Sequence, residues 1–127
     1  MRTLWTGRDI AAPASTLWDL LTDLDAWARW GPSVRSATLV GSGTLRSGAR
    51  GTVTTALGVS LPFEVTAWDP PWRWAWRVAG IGATDHVVSE VHAGSCNVRF
   101  GVPFVAAPYL AVCRVALGRL ESMALES

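Results

Sequence analysis

Residues 106–125 read AAPYLAVCRVALGRLESMAL, and the arrangement of the rest of the chain follows from their spacing. Leu110, Cys113, Leu117, Leu120 and Ala124 recur at steps of three and four, forming one apolar stripe on a helix; Val112, Val115 and Arg119 fall on the opposite side. At ~1.5 Å rise per residue such a helix spans roughly 28 Å, the width of a small domain. A helix with one apolar stripe needs a surface to cover, and the preceding residues supply it. Val34–Val40, Arg50–Leu57, Val59–Trp68, Trp72–Ala79, Thr84–His92 and Cys96–Phe104 are β-prone runs, and glycine- and proline-rich turns bound most of them. With Arg2–Ile10 they predict seven strands, paired antiparallel in sequence order because the connections are short. The helix then lies on the concave face of that sheet.

Two short helices fill the interval between the first two strands. Pro13 suits a first helical turn, where its missing N–H costs nothing. Ser15 and Thr16 with Asp19 resemble a capping box, and Leu17, Leu20, Leu21 and Leu24 follow at helical spacing. Asp23 and Asp25 interrupt that run, and Ala26-Trp27-Ala28-Arg29-Trp30 predicts a second helix stopped by Gly31-Pro32. With no repeat or linker, residues 1–127 are expected to form one α+β domain.

Composition narrows the function. Half of the 127 residues are hydrophobic, and 11 basic residues stand against 10 acidic ones, which argues against disorder. All 11 basic residues are arginines dispersed from Arg2 to Arg119, so no nucleic-acid surface is expected. The apolar run Phe100–Cys113 is too short for a membrane span and contains Pro103 and Pro108. No export signal is readable at the N-terminus, so a cytoplasmic protein with free Cys96 and Cys113 is expected. Eight tryptophans are the anomaly, because a small domain can enclose only a few such rings, each with an N–H needing a partner. They point either to a ligand cavity or to partial surface exposure.

The stretch Ile10-Ala11-Ala12-Pro13-Ala14-Ser15-Thr16-Leu17-Trp18-Asp19-Leu20-Leu21-Thr22-Asp23 resembles the opening of the SRPBCC (START-related, helix-grip) superfamily, in its polyketide cyclase/dehydrase-like branch. The Trp27/Trp30 pair before Gly31-Pro32, Gly48-Ala49-Arg50-Gly51 leading a strand, and Val65-Thr66-Ala67-Trp68-Asp69-Pro70-Pro71 are similar too. So is His86 in the penultimate strand. The likeness spans residues 2–125. Gly31 departs from it, since many members carry asparagine there. The resemblance implies a helix-grip fold: a curved sheet closing on the C-terminal helix around a cavity for a hydrophobic small molecule.

Candidate site residues come from strand alternation. Trp72, Trp74, Trp76 and Val78 share one face of their strand and Arg73 and Arg77 the other, so the tryptophans are expected to face inward. Trp74 and Trp76 therefore serve either as cavity wall or as core packing. His86, Val88, Glu90 and His92 share a face whose orientation the pattern leaves open. An inward His86 either bonds a ligand oxygen, acts as an acid or base, or is satisfied by a backbone carbonyl. Trp27 and Trp30 at the lid, Phe63, Phe104, Tyr109, Val88 and Cys113 complete the expected lining. His86 and Tyr109 are the candidates if the protein is an enzyme. Glu90 and His92 alone do not make a metal site, and neither metal nor other cofactor is expected. The expected partner is a hydrophobic small molecule, bound by a monomer or homodimer without integral membrane contact. The alternative is a cyclase or aromatase performing aldol closure and dehydration in the same cavity.

Overall fold

A computed structural model describes residues 2–41 and 43–126. The chain forms β1 (Thr3–Ile10), α1 (Ala14–Thr22), α2 (Leu24–Trp30), β2 (Val34–Leu39), β3 (Arg50–Thr55), β4 (Ser60–Asp69), β5 (Arg73–Val78), β6 (Ile81–His92) and β7 (Ser95–Pro103). A 3-10 stretch, Phe104–Tyr109, then leads into α3 (Leu110–Leu125). The seven strands make one antiparallel sheet in the order β1-β7-β6-β5-β4-β3-β2. The sheet grips α3, which is the helix-grip fold expected from the sequence.

Alternation carries the core. Cys96, Val98, Phe100 and Val102 of β7, Thr84, His86 and Val88 of β6, Trp74 of β5, Phe63 and Val65 of β4 and Val53 of β3 are buried. Cys113, Ala116, Leu117, Leu120 and Ala124 of α3 are buried against them, as the stripe requires. Register shifts in β2–β3, β4–β5, β5–β6 and β6–β7 mark bulges that bend and twist the strands. Gly51 shows how tightly the layers meet. A Cβ there would lie 2.1 Å from Thr38 O and 2.7 Å from the Phe63 ring, so only glycine fits.

Several local expectations need correction. The C-terminal helix does not run unbroken from Ala106: Pro108 has no N–H to give, Ala106 leaves helical geometry, and α3 starts at Leu110. Val112, expected opposite the stripe, is half-buried and lines a cavity. The capping box does not form. Pro13 occupies the N-cap of α1 without a side-chain bond, whereas Asp23 caps α2 by accepting from Asp25 N at 3.0 Å. Trp72 is 44% exposed, because it belongs to the turn before β5 rather than to the alternating strand.

Candidate functional site

The aromatic residues are organised by one rung of the sheet. Register pairs Trp68 with Trp74, Trp74 with His86, and His86 with Phe100 across β4, β5, β6 and β7. Opposite partners on one face lie close enough for their rings to touch. The His86 imidazole stacks on Trp74 (4.0 Å, 15°) and meets Phe100 edge-on at 5.1 Å. From above, α2 lowers Trp27 onto Trp74 (5.4 Å, 9°) and Trp30 onto Phe100 (5.8 Å).

The placement of α2 follows from hydrogen-bond accounting at the end of α1. The last carbonyls of a helix have no intrahelical donor. Here the Leu21 carbonyl accepts from Trp27 Nε1 and the Leu20 carbonyl from Trp30 Nε1, both at 2.9 Å. Two indoles three residues apart thus satisfy their own N–H groups, fasten α2 to α1 and present their faces to the sheet. Trp76 Nε1 donates to Thr84 Oγ1 at 2.8 Å. Trp74 Nε1 is buried without a partner.

Beside this cluster lies a cavity of about 420 Å³, with Val53, Leu61, Trp76, Val78, Val102 and Tyr109 among its walls. It adjoins an inner chamber of about 30 Å³, walled by Trp27, Trp30, Trp74, His86, Phe100, Val112, Cys113 and Ala116. Ser33, Val34, Trp76, Thr84 and Tyr109 border both spaces. The Tyr109 and Ser33 hydroxyls hydrogen-bond to each other, linking the start of α3 to the α2–β2 connection at this junction. No charged side chain is among the residues lining either space.

The expected site residues therefore separate. Trp27, Trp30, Trp74, Trp76, His86, Tyr109 and Cys113 wall one space or both. Phe63 and Val88 do not. Both are buried core, with Phe63 against Trp27 (5.8 Å) and Trp76 (5.4 Å). Phe104 is 56% exposed, because β7 ends at Pro103 and the 3-10 stretch turns its side chain outward. Residues the sequence reading passed over include Val53, Leu61, Thr84, Val102 and Ser33. The first four sit on the inward alternation of their strands, a signal that was present but outshone by the aromatics.

His86 is inward, 3% exposed, and its Nδ1 lies 3.0 Å from the Trp74 carbonyl oxygen. A carbonyl only accepts, so Nδ1 carries the proton and Nε2 is the unprotonated nitrogen. Burial outweighs the carbonyl bond and neighbouring Asp85, lowering the pKa to about 4. The imidazole is neutral at pH 7. Asp85 points to the other face, where its carboxylate accepts from Arg73 Nε at 3.0 Å and Nη2 at 2.9 Å. Burial pushes the Cys113 thiol up to about 11, the opposite of what a nucleophile needs. Cys96 is likewise buried and unpaired, its pKa raised by burial and then by Asp9. Iodoacetamide at pH 8 is accordingly expected to modify neither thiol in the native protein and both in denaturant. Fast native alkylation, read by mass spectrometry, would contradict this burial.

A sheet closed on one long helix, with an apolar space left between them, defines a helix-grip protein. The chain belongs to the family described as polyketide cyclase / dehydrase and lipid transport, which matches residues 1–124. No curated protein matches it. Among solved structures it is similar to XoxI of Bacillus cereus, with 13% identity and a TM-score of 0.77, covering 98% of this chain and 96% of that one. MLL2253 of Mesorhizobium loti has 15% identity and a TM-score of 0.76, over 99% and 98% of the two chains. The di-domain ARO/CYC BexL from the BE-7585A biosynthetic pathway has 16% identity and a TM-score of 0.76. That match covers 99% of this chain and 47% of BexL. At such identities the likeness concerns the fold.

Proposed function

We propose that this protein binds a hydrophobic small molecule, aromatic, polyketide-like or lipid-like, in the cavity that the sheet forms with the α2–β2 connection and the 3-10 stretch before α3, rather than against α3 itself as the sequence led one to expect. The observation that carries this reading is the apolar cavity of about 420 Å³ beside the indole cluster. Its size is within the roughly 300–1,000 Å³ of small-molecule sites, and its few hydroxyls suit orientation of a ligand more than demanding chemistry. Among the described residues no helix is long and apolar enough to cross a membrane, and no metal-binding cluster occurs. Two buried, unpaired cysteines suit a reducing compartment such as the cytoplasm.

Tryptophan emission tests the proposal, since Trp76 borders both spaces. Titration with polyketides, isoprenoid quinones and fatty acids is expected to quench or shift the emission at micromolar ligand. The double variant Leu61→Trp/Val78→Trp places two indoles in the cavity. It should weaken binding at least tenfold, about 1.4 kcal/mol, with stability changed by about 1 kcal/mol or less because both side chains face the cavity rather than close-packed neighbours. Unchanged affinity in this variant, or no response to any compound, would refute the reading.

One observation favours the alternative, a cyclase or aromatase. His86 lines the inner chamber with Nδ1 committed to the Trp74 carbonyl, which leaves Nε2 as the acceptor a general base requires, while a pKa near 4 makes it a weak base. In that reading His86 takes a proton from the reacting carbon and Tyr109 supports a carbonyl oxygen. Conversion of a poly-β-ketone substrate that is lost in His86→Ala would favour the enzyme. Unchanged turnover would remove the catalytic role.

A further inference from the structure

We infer that His86 anchors the inner end of the ligand and selects a head group that donates a hydrogen bond, a phenolic, enolic or alcoholic hydroxyl. This rests on the ligand-binding reading above and adds the chemical class of the ligand. The polar groups around the inner chamber are nearly all committed within the protein. Trp27 and Trp30 give their N–H groups to α1, Trp76 gives its own to Thr84, and Tyr109 and Ser33 bond each other. His86 differs. Its Nδ1 is used on the Trp74 carbonyl, and Nε2 has no protein partner among the described residues although the ring lines the chamber.

An unprotonated Nε2 only accepts, so its complement is an O–H or N–H. The chamber of about 30 Å³ admits a group of a hydroxyl's size, while the ligand's body lies in the larger cavity that shares Trp76, Thr84 and Tyr109 with it. A carboxylate fails on two counts: it offers His86 no proton at pH 7, and neither space has a cationic side chain on its walls. An ether or hydrocarbon of the same shape fits the volume but leaves Nε2 unpaired, which carries a desolvation cost.

Three probes of one shape separate these cases: 2-naphthol, 2-methoxynaphthalene and 2-naphthoate, titrated calorimetrically at pH 7 into wild type and His86→Phe. In wild type 2-naphthol is expected to bind about fivefold or more tightly than 2-methoxynaphthalene, with 2-naphthoate weakest. His86→Phe should bring the first two to equal affinity. Imidazole ¹⁵N NMR of the wild-type protein provides a readout independent of the variant's folding. The Nε2 resonance should move upfield on adding 2-naphthol and stay in place with 2-methoxynaphthalene. Equal wild-type affinities, an unmoved Nε2 signal, or tightest binding of 2-naphthoate would overturn the head-group inference while leaving ligand binding intact. Binding of none of the three would overturn both.

Discussion

Replacement of Trp27 by alanine is expected to destabilise the protein by about 3–5 kcal/mol, a large part of the ~5–15 kcal/mol available to a domain of this kind. Three losses coincide at this residue. Its ring stacks on Trp74 and packs against Phe63 and Trp76, with centroids 5.3 to 5.8 Å apart. Its N–H caps the Leu21 carbonyl, so removal also strands an acceptor at the end of α1. The vacated volume cannot collapse easily, because α2 is still held by Trp30 on the Leu20 carbonyl. Trp18→Ala provides the comparison. Trp18 is half-buried and meets Trp68 at 5.3 Å, so its loss should cost less, about 1 kcal/mol. Urea unfolding of both variants reads the difference. Equal costs would mean that the indole cluster is not the centre of the core.

The second large effect is acid sensitivity centred on one histidine. In the unfolded chain His86 takes a proton near pH 6.5, but in the folded protein not until about 4. Between those values the unfolded state binds the extra proton, so stability falls as pH drops. The contribution is fully present above pH 6.5 and is lost progressively toward pH 4. At ~1.4 kcal/mol per pH unit, the loss reaches about 3 kcal/mol. Carboxylates titrate in part of this range as well, so the useful quantity is a difference between proteins. His86→Phe keeps a ring between Trp74 and Phe100 and removes the titrating group. Its deficit relative to wild type at pH 7 should shrink, then reverse, as the pH is lowered to 4.5. A deficit constant with pH would contradict a buried, neutral imidazole.

The sequence was most legible where periodicity was strict. The α3 stripe from Leu110 to Ala124, the alternation in β7 and the inward set Trp74, Trp76 and Val78 each repeat often enough to fix a face. Legibility failed at element ends. Trp72 and Phe104 each lie one residue outside a strand, where the backbone turns and alternation no longer predicts direction. The apolar run before Leu110 continues the helical spacing, yet Pro108 sits within a 3-10 stretch and Ala106 leaves helical geometry, so the α-helix begins only at Leu110. The orientation of β6 was ambiguous because Glu90 and His92 share a period with His86. Past Val88 the strand outruns the layer above it, and both residues are exposed. The division of the cavity into a larger space and an inner chamber was not readable, since it depends on how α2 seats over the sheet. That seating is set by two indole N–H groups reaching carbonyls six and ten residues back.

The most direct measurement is crystallographic: anomalous diffraction from crystals soaked in 2-bromonaphthalene, with the bromine located. The account predicts one dominant bromine peak inside the cavity, within contact distance of Leu61, Trp76 or Val78, and its disappearance in Leu61→Trp/Val78→Trp. Bromine found only on the outer surface, with side chains collapsed into the cavity lined by Leu61, Trp76 and Val78, would contradict the proposal that this fold encloses a guest.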